Sequence, residues 1–175
     1  MKISEHIQKL ESAIKDPNKG LPDDIFLFST RIVPSVNVDL LIRNEKGEII
    51  LAWRDDGYSP AAWHIPGGII RYKETIRDRI KAVAAVELGA KVKHGREPIA
   101  VNQIIVPKRK NRGHFISLLY ECRLTKAPDN GLKYAGAAPK PGEWAWFAEC
   151  PENIIAFHGM YRKYFKGDKK NASSR

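Results

Sequence analysis

The segment "WHIPGGIIRYKETIRDRIKAVAAVELGA", residues 63–90, decides how this sequence is interpreted. From Glu74 to Leu88 it contains no glycine or proline, and its apolar residues recur every three or four positions, which predicts an α-helix. Gly89 is expected to end the helix, because glycine readily adopts the left-handed conformation found there. Residues 66–68, Pro-Gly-Gly, precede the helix and form a backbone that a ligand can approach closely. The segment therefore begins as a phosphate or metal site would.

One face of the predicted helix carries a single carboxylate. Positions 83, 86 and 87 share that face because they are separated by three and four residues. Val83 and Val86 occupy two of these positions, and Glu87 occupies the third. We expect both valines to pack in the core, which would leave Glu87 as the only negative charge on this face.

Length and composition indicate one globular domain. The chain has 175 residues, of which 43% are hydrophobic and 29% are charged, and a chain of this kind can bury a core without disulfides. No apolar run approaches the roughly 20 residues that a membrane helix needs, so no membrane partner is expected. Residues 1–15 alternate charged and isolated apolar residues, unlike a signal peptide. This pattern favours a cytoplasmic location with both cysteines reduced.

The net charge of +10 is concentrated in two segments. Four of the five residues at 108–112 are basic, and residues 162–175 carry six basic residues against one acidic residue. Basic segments can bind nucleic acid. Neither segment interleaves aromatic residues as single-strand-binding surfaces do. We therefore expect a solvated loop and a frayed tail, and we do not expect nucleic acid as a partner.

The other patterns predict strands and helices without strict alternation. Helices are expected at 4–15 and 151–165. Two apolar runs, 36–42 and 49–53, flank a turn and predict a β-hairpin. Further strands are predicted at 98–106, 114–124 and 143–148. These elements predict an α+β protein with a mixed β-sheet covered by helices.

The quoted segment resembles the Nudix box, Gly-x5-Glu-x7-Arg-Glu-U-x-Glu-Glu-x-Gly-U, in which U is aliphatic. The residues that match it are Gly68, Glu74, Glu87, Gly89 and Ala90. Ala82 stands at the arginine position, and Val83 and Val86 replace two glutamates. The strand "GEIILAWR" and the "WHIPGG" entry are also similar to the family, so the likeness covers roughly residues 32–160.

This resemblance implies a Nudix α/β/α sandwich with a mixed β-sheet. We predict that residues 25–165 form the Nudix domain. Residues 1–24 are predicted to be an N-terminal helix and linker, because "DPNKGLPDD" breaks the chain. Residues 166–175 are predicted to be a flexible basic tail.

Within the superfamily, the chain most resembles the GDP-mannose mannosyl hydrolase branch. A full Nudix box binds several magnesium ions and splits a diphosphate by attack of water on phosphorus. That branch also lacks carboxylates at the positions of Val83 and Val86 and keeps the Glu-Leu-Gly end. It uses one metal ion, attacks the anomeric carbon of the sugar and releases GDP. The resemblance implies a nucleotide-sugar substrate, Mg²⁺ or possibly Mn²⁺ as cofactor, and a homodimer.

Metal and proton-transfer roles follow from the same resemblance. The expected metal ligands are the Gly67 carbonyl, Glu87 and Glu143. His114 aligns with a histidine of the branch, and Glu143 lies near the position of its general base, where this chain has Pro141. His114 and Glu143 are therefore the candidate catalytic groups for the proton. Glu74 is expected to brace the turn into the helix rather than bind a metal.

Asp39, Arg54 and Arg71 are the predicted substrate-binding residues. Arg54 aligns with an arginine that steadies the leaving diphosphate, so it is also a candidate catalytic residue; a guanidinium suits developing phosphate charge. The branch has an arginine at the position of Ile69, and Arg71 lies two residues after it. Asp39 lies in an apolar strand, where a lone carboxylate is costly, so it should serve function or pair with a buried arginine.

Two other functions remain open from the sequence. The chain could cleave a diphosphate at phosphorus, as other Nudix enzymes do, although its box offers few carboxylates. It could instead be a catalytically weak nucleotide-sugar-binding regulator or a nucleic-acid-associated module, which the missing box residues would favour.

Overall fold

The computed structural model describes residues 2–165, and the predicted tail at 166–175 lies outside the described residues. The α-helices are α1 (Ile3–Ala13), α2 (Asp23–Ile32) and α3 (Ile76–Leu88). The strands are β1 (Ser35–Ile42), β2 (Ile49–Arg54), β3 (Ala62–His64), β4 (Gly67–Ile69), β5 (Lys91–His94), β6 (Ala100–Ile105), β7 (His114–Lys126) and β8 (Trp144–Phe147). Short 3-10 helices span Pro17–Lys19, Asn130–Leu132 and Ala156–Tyr164.

Two β-sheets form the centre of the fold. The larger sheet is mixed: β1 pairs in parallel with β7 and antiparallel with β4, while β5 and β6 pair antiparallel with β7. The smaller sheet is antiparallel and has the order β3-β2-β8. This arrangement confirms the predicted α+β sandwich with a mixed β-sheet.

The predicted hairpin is wrong in its pairing, although both of its strands exist. β1 and β2 are joined by a turn in which the Asn44 amide donates to the Glu48 carbonyl at 3.0 Å. Beyond one bridge between Arg43 and Ile49, the strands separate into different sheets. Residues 38–42 and 49–52 are all buried. Strands covered on both faces can belong to different layers, whereas a hairpin with one solvated face would alternate.

Helix α3 packs against the larger sheet and positions the quoted segment. Ile80, Val83 and Ala84 share a buried cluster with Val38 and Leu40 of β1. The Thr75 side chain caps the helix by accepting a hydrogen bond from the Asp78 amide, which explains why the helix begins at Ile76 and not at Glu74. At the other end Gly89 is left-handed, with φ of 60°, as predicted.

Only one of the two box valines is part of the core. Val83 is 4% exposed, whereas Val86 is 82% exposed, so the expectation that both are buried is wrong for Val86. The buried face of α3 is centred between Ile80 and Ala84. At 3.6 residues per turn Val83 lies at one border of this face and Val86 lies beyond it.

The N-terminal region contains a helix that the sequence did not predict. Helix α1 matches the expected helix at 4–15 and has no buried residue. Helix α2 begins directly after Pro22, with Asp23 and Asp24 in its first turn, and crosses the predicted boundary at 24/25. Proline followed by acidic residues is a helix start signal, which the interpretation of this run as a break overlooked.

Further elements differ from expectation. The short strands β3, β4 and β5 were not predicted. The C-terminal helix predicted at 151–165 is a 3-10 helix over Ala156–Tyr164. None of the helices in residues 2–165 is long and apolar enough to cross a membrane.

We expect Gly89→Ala to lower the free energy of unfolding by about 1–3 kcal/mol. A Cβ at position 89 would lie 2.7 Å from the Cβ of Asp129, in addition to the strain of the positive φ. Gly57 also has a positive φ, of 73°, but a Cβ there meets nothing within 4 Å. Gly57→Ala is therefore the control for strain alone, and urea denaturation should show a smaller loss. Equal losses would contradict the role assigned to the Asp129 contact.

Candidate active site

A cavity of about 1010 Å³ lies between α2, the end of α3 and the edge of the larger sheet. Five predicted site residues line it together: Asp39, Arg54, Gly67, Arg71 and Glu87. These residues come from β1, β2, β4, the segment before α3, and α3. The fold thus brings residues that are distant in sequence to one side of the molecule.

Glu87 joins the end of α3 to β4. Its Oε1 accepts a hydrogen bond from the Gly67 amide at 3.2 Å, and its Oε2 lies 3.1 Å from His64 Nε2. Because a carboxylate only accepts, this contact places a proton on His64 Nε2. The side chain is partly buried, so it faces the cavity in a fixed direction. His64 was not predicted as a site residue, and it orients Glu87.

Asp39 is a buried carboxylate beside Gly67. Its Oδ2 accepts hydrogen bonds from Ser117 Oγ at 2.5 Å and from Tyr161 OH at 2.6 Å. Burial raises the pKa of Asp39 to about 6, and the two hydroxyl hydrogen bonds partly oppose that rise. Hydroxyl groups, rather than the buried arginine considered from the sequence, therefore stabilise this carboxylate.

Gly67 is required where β4 pairs with β1. The residue lies opposite Asp39 in the antiparallel register, and a Cβ at position 67 would lie 2.2 Å from Asp39 Oδ1. Any larger residue would therefore displace the carboxylate from this position. Glycine also leaves the backbone accessible from the cavity.

His158 is a buried neighbour of Asp39 that the sequence did not single out. Its Nδ1 accepts a hydrogen bond from the Ile65 amide at 3.1 Å, which places the proton on Nε2. His158 Nε2 lies 3.8 Å from Asp39 Oδ2. Burial lowers the pKa of His158 well below its usual value, so the ring is neutral at pH 7. Only its place in the C-terminal 3-10 helix brings it to the cavity, and no local motif indicates this.

Arg54 is held by an acidic residue two positions later. Its Nε donates to Asp56 Oδ2 at 2.8 Å, and its Nη2 contacts the same oxygen. Arg112 Nη1 lies 3.7 Å from that oxygen. The pKa of Asp56 is lowered, because the hydrogen bond and charge of Arg54 outweigh the effect of partial burial. One carboxylate therefore lies between two cavity-lining guanidinium groups.

The expectation that the basic loop at 108–112 is solvated is only partly right. Arg109 and Arg112 line the cavity, whereas Lys108 and Lys110 are exposed. The Arg112 guanidinium carbon lies 4.3 Å from the centre of the Tyr58 ring. The sequence did not reveal these contacts because the aromatic partners are distant along the chain.

The two predicted proton-transfer residues do not line the cavity. His114 Nε2 lies 3.1 Å from the Gln103 side-chain nitrogen on the neighbouring strand. Glu143 accepts a hydrogen bond from the Lys140 amide at 2.9 Å, although Pro141 and Gly142 just before it line the cavity. The structure therefore does not bring either side chain to Glu87.

Glu74 braces the turn into α3, as expected. Its Oε2 accepts hydrogen bonds from the Arg71 amide at 2.9 Å and from Arg79 Nε at 2.8 Å. Arg79 is buried and lines the cavity wall. Arg71 reaches in the other direction and donates to the Asn18 carbonyl at 3.3 Å, which ties the N-terminal region to this turn.

The donor groups of the cavity limit how a metal ion could bind. No group of three or more His, Cys, Asp or Glu side chains within residues 2–165 could hold a metal ion. Glu87 is the one box carboxylate that faces Gly67. Magnesium accepts water and phosphate oxygens readily. The residues present therefore fit an ion of this kind only if substrate and water supply most of its ligands.

Asp39 gives the stability of the protein a defined pH dependence. The pKa of this carboxyl is higher in the folded state than its usual value of 3.8, so its ionisation destabilises the fold as the pH rises through about 6. We expect Asp39→Asn to raise the free energy of unfolding at pH 8 by on the order of 2 kcal/mol, and by less at pH 5.

Denaturation of Asp39→Asn and the wild type at both pH values tests this expectation. The exposed Asp24→Asn is the control and should leave the difference between pH 5 and pH 8 unchanged. A loss of stability in Asp39→Asn at pH 8 would contradict the prediction. It would show that the hydrogen bonds from Ser117 and Tyr161 outweigh the cost of burying the charge.

Comparison with known proteins identifies the domain. Residues 33–150 match the NUDIX domain family. The chain is 38% identical over 76 residues to the low-salt glycan biosynthesis protein Agl8 of Haloferax volcanii, and the match covers 43% of this chain and 48% of that protein. The chain thus spans about half the length of this curated relative.

Solved structures share the fold. A MutT NUDIX hydrolase from Burkholderia pseudomallei superposes with a TM-score of 0.59 at 18% identity, covering 75% of this chain and 98% of that one. A MutT protein from Methanosarcina mazei superposes with a TM-score of 0.56 at 19% identity, covering 77% and 92%. With the family match over most of the described residues, these results show that the chain belongs to the Nudix hydrolase family.

Proposed function

We propose that the protein hydrolyses a nucleoside diphosphate sugar, GDP-mannose or a close relative, with Mg²⁺. The products would be the nucleoside diphosphate and the free sugar, formed by attack of water at the anomeric carbon. The observation that carries this proposal is the charge of the box helix, where Glu87 remains while Val83 is buried and Val86 replaces a further carboxylate. Nudix hydrolases generally use divalent metals, and Glu87 is the one carboxylate of this helix that lines the cavity.

The charge on the helix favours attack at carbon over attack at phosphorus. Attack at phosphorus builds charge on oxygens that several metal ions would have to offset. Attack at the sugar carbon leaves a diphosphate, whose charge one ion and a guanidinium can stabilise. Arg54 lines the cavity and can supply that guanidinium, provided that it exchanges Asp56 for the substrate.

The predicted site residues other than His114 each have a role in this proposal. Glu87 and the Gly67 carbonyl would hold Mg²⁺, or Mn²⁺ in its place, which would offset the charge of the leaving diphosphate. Arg71 would bind phosphate, and the Asp39 carboxylate would accept a hydrogen bond from a substrate hydroxyl. Glu143 is the proposed general base and a further metal ligand on the family resemblance. Its side chain does not line the cavity, so this role requires the loop before β8, whose Pro141 and Gly142 line the cavity, to carry it towards Glu87.

The relative from Haloferax volcanii gives independent support. Its name connects it with glycan biosynthesis, a process that consumes activated sugars. Because the match covers about half of that protein, it supports the sugar-nucleotide class and not a particular base or sugar. A homodimer is part of the proposal on the family resemblance alone.

Incubation with GDP-mannose and Mg²⁺ should yield GDP and free mannose, resolved by chromatography. Glu87→Gln should lower kcat at least about 100-fold, because the neutral amide would bind the metal poorly. Glu97→Gln removes an exposed carboxylate that does not line the cavity and should retain the wild-type rate. GMP and mannose 1-phosphate would instead indicate cleavage at phosphorus. Measurable binding without any product would indicate a nucleotide-sugar regulator.

A second experiment separates the two candidates for proton transfer. We expect Glu143→Gln to lower kcat by about 100-fold or more, the usual contribution of a general base. We expect His114→Gln to change kcat less than threefold, since His114 is held in β7 beside Gln103, whereas Glu143 lies in the loop before β8. The reverse order, measured at saturating substrate, would assign the base to His114.

A further inference from the structure

The loop between β6 and β7, residues 106–113, places some of its basic residues against the cavity and others in solvent. The Val106 amide donates to the Gly113 carbonyl at 2.6 Å, and the Arg109 amide donates to the Val106 carbonyl at 3.0 Å, so the loop is tightly closed. Arg112 has a positive φ of 51°, an uncommon backbone conformation for arginine. The outcome is that Arg109 and Arg112 line the cavity, while two neighbouring lysines point to solvent.

Aromatic rings hold both guanidinium groups. Arg109 lies over the Phe157 ring at 5.6 Å, and Arg112 lies over the Tyr58 ring at 4.3 Å and the Phe26 ring at 5.8 Å. A guanidinium stacked on a ring uses its face, so its N–H groups can still bind a planar or tetrahedral anion at the edge. Stacking thus fixes the groups without neutralising them.

Neither guanidinium has a carboxylate of its own. No carboxylate in residues 2–165 comes within 4.0 Å of Arg109, whose Nη2 donates to the Tyr58 carbonyl at 3.0 Å. Arg112 reaches only Asp56, at 3.7 Å, and Arg54 already binds that carboxylate more closely. Burial and the nearby arginines lower the pKa of Arg112. Asp56 is therefore the one carboxylate in residues 2–165 that pairs with Arg54, Arg109 or Arg112, so these three guanidinium groups carry more positive charge than their ion pairs offset.

Helix α2 encloses this part of the cavity. The Arg112 amide donates to Thr30 Oγ1 at 3.1 Å, and Phe26 on the same helix stacks with the Arg112 guanidinium. Both residues of α2 line the cavity and precede the region that matches the NUDIX domain. The loop and α2 together form a wall where water is partly excluded and a charge pair is stronger than in open solvent.

We propose that Arg109 and Arg112 form an anion-binding subsite for a phosphoryl group of the substrate. Phosphate is the anion that fits, because it can accept several hydrogen bonds from two guanidinium groups and carries the two negative charges that this wall lacks. The subsite deepens the proposed function and rests on it for the identity of the ligand as a phosphorylated nucleotide. Binding of phosphate itself needs no metal ion and no turnover.

Calorimetric titration with inorganic diphosphate in EDTA tests the subsite. The double variant Arg109→Gln/Arg112→Gln should bind diphosphate at least about tenfold more weakly than the wild type, because two charged hydrogen-bond donors are lost. The matched control, Lys108→Gln/Lys110→Gln, removes the same charge from the same loop and should change the affinity less than about twofold. The single variant Arg109→Gln should still weaken binding severalfold if the double variant does not fold.

Equal weakening in the arginine and lysine variants would overturn the proposal, since it would show a general effect of loop charge. Undetectable diphosphate binding by the wild type would also overturn it. These outcomes are independent of catalysis. Tight diphosphate binding through the arginines, with no hydrolysis of GDP-mannose, would refute the proposed function and leave the subsite intact. Hydrolysis by the arginine variants at the wild-type rate and with unchanged KM would refute the subsite alone.

Discussion

The hydrogen bond from the Gly67 amide to the Glu87 carboxylate joins the end of α3 to the edge of the larger sheet. The rest of the site depends on this connection, because the same glycine leaves room for the Asp39 carboxylate on the adjacent strand. A side chain at position 67 would collide with the Asp39 carboxylate, so the end of α3, strand β4 and Asp39 can meet here only at a glycine. His64 then fixes the direction of Glu87 from the other side.

Local features of this arrangement could be predicted from the sequence. The helix and its end at Gly89 lie within one stretch of 28 residues, in which spacing and turn chemistry largely determine structure. The proximity of Glu87 to Gly67 was implied by the resemblance to the Nudix box. The strands β1 and β2 were also predictable as apolar runs, but their separation into two sheets was not. Pairing depends on partners elsewhere in the chain, and uniform apolar runs do not reveal which face each strand shares.

The cavity wall formed by Arg109, Arg112 and helix α2 could not be predicted for the same reason. Arg109 and Arg112 appeared as part of a basic run of the kind that usually faces solvent, and only their rings on distant segments distinguish them from Lys108. Helix α2 was not predicted, because Pro22, which directly precedes it, was interpreted as part of a break in the chain. Long-range contacts and helix α2 thus form the part of the cavity lining that lies outside the Nudix box.

The position at which water attacks is the central claim, and isotope labelling tests it most directly. Hydrolysis of GDP-mannose in H₂¹⁸O with Mg²⁺, followed by mass spectrometry of the products, reports which bond is broken. With Glu87 as the one glutamate of the box helix and Arg54 lining the same cavity, we predict ¹⁸O in the free mannose and unlabelled GDP. Label in a phosphate of the products would contradict this account, because it would show attack at phosphorus by a helix that keeps only Glu87.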